Sequence, residues 1–227
     1  KLRGNQGIGV ISDYDAQPLI FRSLLGRFGI VTVGKINNID ELVKKAFRKK
    51  IHFYETSGGD LSPTETVATL ICEKDSFEEG IQYAQDLIKG SCSMLLLTET
   101  GVYAARDKLG RTPIVIGAKD GSYAATSETC AFLNLDFEIE KYLGPGEIVF
   151  MTAEGCEQKK EPEEKMQICA FLWVYYGYPA SNYEKMNVEF VRNRCGAALG
   201  REDDIEIDCV AGIPDSGTGH ALGYANE

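Results

Sequence analysis

Polar and apolar positions along the chain change period at defined places, and those changes predict its elements. Gly7-Ile8-Gly9-Val10-Ile11 and Phe28-Gly29-Ile30-Val31-Thr32-Val33 are β-branched runs bounded by turn formers, the pattern of strands. Asn38-Ile39-Asp40-Glu41 then has the spacing of a helix cap with a glutamate three positions on, and Leu42, Val43, Ala46 and Phe47 continue it at helical period. Ser62-Pro63-Thr64-Glu65 is a stronger start signal. It combines a cap oxygen, a proline where the missing N–H costs nothing, and the reciprocal glutamate. A helix is expected through Val67, Leu70 and Ile71, and a second, after Ser76-Phe77-Glu78-Glu79, through Ile81, Ala84 and Leu87.

From residue 91 the pattern shortens to strands expected at 93–98, 102–106, 114–118, 123–127 and 148–152. Glu99-Thr100-Gly101 and Lys119-Asp120-Gly121-Ser122 are the turns between them. An antiparallel meander beside two helices makes an α+β layered domain. Residues 158–165, charged and carrying Pro162, read as a linker, with a β-hairpin tail as the alternative. An aromatic run at 171–178 leads to a helix at 188–199 with Val188, Val191, Cys195 and Ala198 on one face. A strand at 205–213, the loop Pro214-Asp215-Ser216-Gly217-Thr218-Gly219 and a helix start come next, the opening of an α/β unit.

Composition narrows the classes. At 227 residues the chain can bury one large core or two modest ones. Its seven cysteines are odd in number and include no C-x-x-C pair, which reads as a reduced, cytoplasmic protein. Cys92 and Cys209 lie in apolar runs and are expected to be buried. A net charge of −10 argues against general binding to nucleic acid or anionic membranes, and two histidines cannot build a histidine-rich zinc site. No run approaches the roughly 18 apolar residues of a membrane span. Lys44, Lys45, Lys49 and Lys50, diluted by acidic neighbours, read as a solvated helix face.

Four stretches carry a resemblance. They are Gly4-Asn5-Gln6-Gly7-Ile8-Gly9 with Ala16-Gln17-Pro18; Arg106-Asp107-Lys108-Leu109-Gly110-Arg111-Thr112-Pro113 with Ser127-Glu128 and Pro145-Gly146-Glu147; residues 169–181; and Ile213-Pro214-Asp215-Ser216-Gly217. In order and spacing they resemble the glutamine phosphoribosylpyrophosphate amidotransferase (amidophosphoribosyltransferase) family. The resemblance implies a class II glutamine amidotransferase-like domain over 1–162, lacking its N-terminal part. Its fold would be that of the N-terminal-nucleophile hydrolases, antiparallel sheets layered with helices. The truncated start of an α/β phosphoribosyltransferase-like domain would occupy 163–227. The chain begins at Lys1 and stops inside an expected helix, so a piece of a longer protein is expected.

The resemblance also implies roles and losses. In the family an N-terminal cysteine attacks glutamine with its own amine as base, and an Asn-Gly pair holds the oxyanion. No residue here matches that cysteine, so none is assigned as catalytic. The arginine that grips the glutamine carboxylate falls near Ser12, the Asn-Gly pair on Val33-Gly34, and the acidic group for the glutamine amine on Pro63. The glutamine site is therefore expected to be degenerate. Arg106, Asp107, Gly110 and Arg111 are expected to pin a strand connection rather than touch substrate.

Asp215, Ser216, Gly217, Thr218 and Gly219 match the loop for phosphoribosyl pyrophosphate, where glycines admit the ligand and a helix start offers N–H groups to an anion. The resemblance implies Mg2+ with that donor; helix capping is the equal alternative for Asp215 and Ser216. Cys169 matches a position that holds an iron–sulfur cluster in some members, but without matching partners a buried thiol is expected. The implied activity forms phosphoribosylamine from phosphoribosyl pyrophosphate and glutamine or ammonia in purine synthesis. A homo-oligomer with purine nucleotides as regulators is implied too. The alternative is an inactive homologue that binds nucleotide or a partner enzyme and regulates flux. Synthases of glucosamine phosphate or asparagine share the first domain, but residues 166–227 do not fit the different domains that those enzymes carry after it.

Overall fold

Two serines do what their spacing predicts. Ser62 Oγ accepts from Glu65 N at 3.3 Å and Ser76 Oγ from Glu79 N at 3.2 Å, and helices start directly after each. The computed structural model describes residues 4–11, 16–53 and 61–227. In chain order its elements are β1 (Leu19–Ser23), β2 (Gly26–Val33), α1 (Ile39–Arg48), α2 (Pro63–Ile71), α3 (Phe77–Leu87), β3 (Ser93–Leu97), β4 (Val102–Ala105), β5 (Val115–Lys119) and β6 (Ser122–Thr126). Then come α4 (Cys130–Leu135), β7 (Glu138–Tyr142), β8 (Ile148–Met151), β9 (Cys156–Lys160), one wide helical turn (Leu172–Tyr176), β10 (Asn182–Tyr183), β11 (Met186–Asn187), α5 (Val188–Glu202) and α6 (Gly217–Ala225).

The chain forms two units. The first comprises Lys1–Ile114, Asp120–Ala125 and Leu143–Ile168; the second comprises Val115–Lys119, Thr126–Tyr142 and Cys169–Glu227. The first is an antiparallel sheet in the order β1-β2-β3-β4-β8-β9. Cross-strand register aligns Ile30, Leu96, Tyr103 and Phe150 in one row, and this row meets Val67, Leu70, Ile71 and Ile81 of α2 and α3. Helices over an antiparallel sheet with a shared apolar core is the layered α+β architecture the pattern predicts.

In the second unit β5 pairs antiparallel with β7, and β10 and β11 form a short hairpin. Asn187 caps α5 by accepting from Phe190 N at 2.9 Å. Helices α5 and α6 touch through glycines. A Cβ on Gly196 would stand 1.9 Å from His220 O, and one on Gly223 would stand 1.9 Å from Asn193 O. Any side chain at either position would push the helices apart.

The structure corrects several expectations. Residues 7–11 form no strand: β1, which the pattern does not suggest, takes the ladder position beside β2. Residues 205–213 are irregular and largely exposed, with Ile213 83% exposed; among the described residues no strand pairs with them, so their N–H and C=O groups gain nothing from a ladder. Asn38 flanks α1 but does not cap it, because its side chain joins Leu87 O and Lys89 N instead, and Glu41 pairs with Lys89 Nζ at 3.1 Å. Part of the expected linker is β9, paired with β8. Cys209 and Cys169 are exposed rather than buried, whereas Cys92 is buried.

Candidate functional site

Thr32, near the end of β2, organises the region that the resemblance assigns to glutamine. The Gln17 side chain acts as a stand-in strand: its Oε1 accepts from Thr32 N at 2.7 Å and its Nε2 donates to Thr32 O at 3.3 Å. Thr32 Oγ1 in turn lies 2.7 Å from Thr64 Oγ1 in the first turn of α2. This bond brings the segments carrying Val33-Gly34 and Pro63 together; Ser12 lies outside the described residues.

The chemistry offered there is sparse. Val33 has no polar side-chain atom, and Pro63, at the first position of α2, has neither charge nor N–H. Gly34 has a packing reason of its own. Its φ is 135°, and a Cβ would stand 2.3 Å from Ser91 O, where the chain runs alongside residues 89–91. The glycine is thus required by this close approach whether or not it faces a substrate.

Arg106, Asp107, Gly110 and Arg111 form a knot in the connection that leaves β4. The buried Arg106 guanidinium donates to Leu143 O and to Gly110 O, the latter at 2.7 Å. Gly110, with φ of 66°, leaves room for that side chain. Asp107 accepts from Leu109 N at 3.2 Å, Arg111 N at 3.1 Å and Thr112 N at 2.8 Å, holding the turn closed. Arg111 reaches Gly90 O at 3.1 Å and Gln167 Oε1 at 3.2 Å. All of these partners belong to the protein itself.

In the second unit Asp215 is exposed, Ser216 precedes α6 without a side-chain cap bond, and Gly217, Thr218 and Gly219 form its first turn rather than a loop. A cleft of about 1100 Å³ opens beside them. Asp215, Ser216 and Thr218 line it together with Glu128, Glu189, Arg192 and the exposed Tyr175, Tyr176 and Tyr178. Glu128 accepts from Ser181 Oγ and, at 2.5 Å, from the Tyr183 hydroxyl. Burial and then that carboxylate hold the Tyr183 phenol far above its ordinary value, so it stays a donor. Sequence motifs do not single out Arg192 and Glu189. Arg192 stands four residues after Val188 on the buried face of α5, and a charge on an apolar stripe is the signal that could have revealed it.

Among the described residues no three His, Cys, Asp or Glu side chains converge as metal ligands. With Cys169 exposed, they do not assemble the thiolate set of an iron–sulfur cluster. No described helix is long and apolar enough to cross a membrane.

Residues 6–134 match the family described as "Glutamine amidotransferase domain". Among curated proteins the chain is similar to the amidophosphoribosyltransferase of Bacillus subtilis, 32% identical over 215 residues, which are 93% of this chain and 44% of that protein. It is also similar to the amidophosphoribosyltransferase of Mus musculus, 27% identical over 94% of this chain and 46% of that protein. Among solved structures it superposes on the glutamine phosphoribosylpyrophosphate amidotransferase of B. subtilis complexed with ADP and GMP. The TM-score is 0.83 at 31% identity, covering 93% of this chain and 46% of that one. The chain therefore spans about half the length of the relatives it matches.

Proposed function

The chain belongs to the glutamine amidotransferase domain family, and from that premise we propose that it is part of an amidophosphoribosyltransferase-type protein of purine synthesis. The whole protein would form phosphoribosylamine from phosphoribosyl pyrophosphate and an amine source, favouring free ammonia over glutamine. The extent of the likeness carries this reading. It covers 93% of the chain and so continues past residue 134, where the amidotransferase match stops.

The preference for ammonia rests on the residues at the glutamine region. Substrate carboxylate, oxyanion and amine each need a polar partner, and Val33 and Pro63 bring none. The pyrophosphate of the donor would meet Asp215–Gly219 at the N-terminus of α6, where the helix dipole favours negative charge. Mg2+ is commonly held by one or two carboxylates together with substrate phosphates, and the single exposed Asp215 suits an ion that arrives with the donor. Regulation by purine nucleotides and assembly into a homo-oligomer belong to the same proposal.

The test is pyrophosphate release by the full-length protein from phosphoribosyl pyrophosphate and Mg2+, with ammonium or glutamine as the nitrogen source. Release with ammonium supports the reading. No release with either source, while ADP or GMP still binds, would favour the second reading, an inactive homologue that binds nucleotide. That second reading has its own support in the replaced glutamine-site residues.

A further inference from the structure

The cleft beside α6 has charges that an anion site alone does not explain. Its lining carries three carboxylates, Glu128, Glu189 and Asp215, against one cation, Arg192. Arg192 is 1% exposed, and most of its guanidinium is engaged: Nε donates to Trp173 O at 2.8 Å, and Nη2 to Tyr175 O at 2.9 Å and Gly177 O at 2.8 Å. Among the described residues Nη1 has no hydrogen-bond partner, although the side chain lines the cleft. Nη1 is thus the part of this guanidinium that can donate to an acceptor oxygen in the cleft, from water or from a ligand that displaces it.

Glu189 stands one helical turn before Arg192, on the same face of α5. Its carboxylate lies against Gly219, where a Cβ would come within 2.7 Å of both oxygens, and Asn193 Nδ2 donates to Oε1 at 3.3 Å. Glu128 already holds the Ser181 and Tyr183 hydroxyls, but among the described residues no lysine or second arginine lines the cleft to balance Glu189, while Tyr175, Tyr176 and Tyr178 supply aromatic surface. Such surface attracts cations.

We propose that this cleft binds a small amino-acid-like ligand. Its carboxylate or carbonyl oxygen would accept from Arg192 Nη1, and its protonated amine would sit between the Glu189 carboxylate and the tyrosine rings. Side chains one helical turn apart suit a molecule whose opposite charges are close together, as on an α-amino acid. The cleft is large enough for such a ligand beside a pyrophosphate at Asp215–Gly219, so the proposal goes beyond the transferase reading and does not depend on it.

The test is a ligand-observed NMR and calorimetric titration of the full-length protein with glycine, L-arginine, methylamine and acetate. Separate titrations with pyrophosphate and Mg2+ report on the first turn of α6 alone. The expected order is an amino acid over methylamine, with acetate weakest. Glu189→Gln should weaken the amino acid about tenfold or more, because a charge-assisted bond is lost. Tyr176→Ala, at an exposed position outside the core, should weaken it about two- to fivefold. Pyrophosphate binding should survive both changes. No saturable binding of any amine at about 10 mM, well above the usual range for metabolite sites, or affinity unchanged in Glu189→Gln, would overturn the proposal. Loss of pyrophosphate binding with amino-acid binding intact would instead count against the transferase reading.

Discussion

Thr32 and Thr64 share a hydrogen bond of 2.7 Å between their hydroxyl oxygens, and this contact fastens the end of β2 to the start of α2. Thr64 is fully buried, so its hydroxyl has no water to replace the partner. Thr64→Val keeps the shape and removes the partner of the half-buried Thr32 hydroxyl. The expected loss is about 1–2 kcal/mol in a urea titration, with Thr64→Ser much closer to the parent.

Asp107 is expected to matter more than Arg111. Replacing Asp107 with alanine leaves three backbone N–H groups, of Leu109, Arg111 and Thr112, without their acceptor. A fully buried orphan costs about 1–3 kcal/mol, so three half-buried ones, partly rescued by water, leave a loss of about 2–4 kcal/mol. Arg111→Ala removes partly exposed contacts and should cost about 1 kcal/mol. Equal melting shifts for the two variants would contradict this ranking.

Gly34 and Val33 should respond in opposite ways to small changes. Gly34→Ala sets a Cβ against Ser91 O and strains a φ of 135°, so a loss of at least about 2 kcal/mol is expected. Val33, 41% exposed at the strand end, should tolerate alanine within about 1 kcal/mol. Thermal melts of the two variants measure the contrast.

Much of the first unit is legible in the sequence because its signals are local. Ser62-Pro63 and Ser76 mark helix starts with atoms that reach three residues ahead, and the turn at Gly121, with φ of 74°, needs a residue that tolerates a left-handed backbone. The features that escape a sequence reading depend on distant partners. Asn38 has the right spacing for a cap, but its amide is drawn to residues 87 and 89, a contact 49 positions away. Residues 7–11 and 205–213 have strand composition, yet a strand needs a neighbour and composition does not name one. The resemblance points to Asp215–Gly219, whereas the cleft beside it draws Glu189 and Arg192 from another helix.

Thiol chemistry should separate the cysteines. Cys92 is fully buried and its thiol is pushed up to about 12, first by burial and then by Asp107. The folded state thus holds this proton more tightly than the unfolded chain, whose thiol titrates near 9.0. Its contribution to stability is fully present below about pH 9 and is lost as pH rises toward 12. Stability measured between about pH 8 and pH 11 should fall, and Cys92→Ala should flatten part of that fall despite its own packing cost. At neutral pH a maleimide should label the exposed Cys169 and Cys209 quickly, and Cys92 only after unfolding.

The proposed loss of the glutamine contacts is the sharpest part of the functional reading. In that proposal Val33 stands in for one oxyanion donor, a loss that costs on the order of a hundredfold in rate, and Pro63 adds no partner for the substrate amine. The decisive measurement is glutamate release from glutamine by the full-length protein, run beside its ammonium-dependent pyrophosphate release at matched protein concentration. The account predicts ammonium-dependent turnover with glutamate release near background. Robust glutamate release that disappears when an N-terminal cysteine is changed to alanine would contradict it.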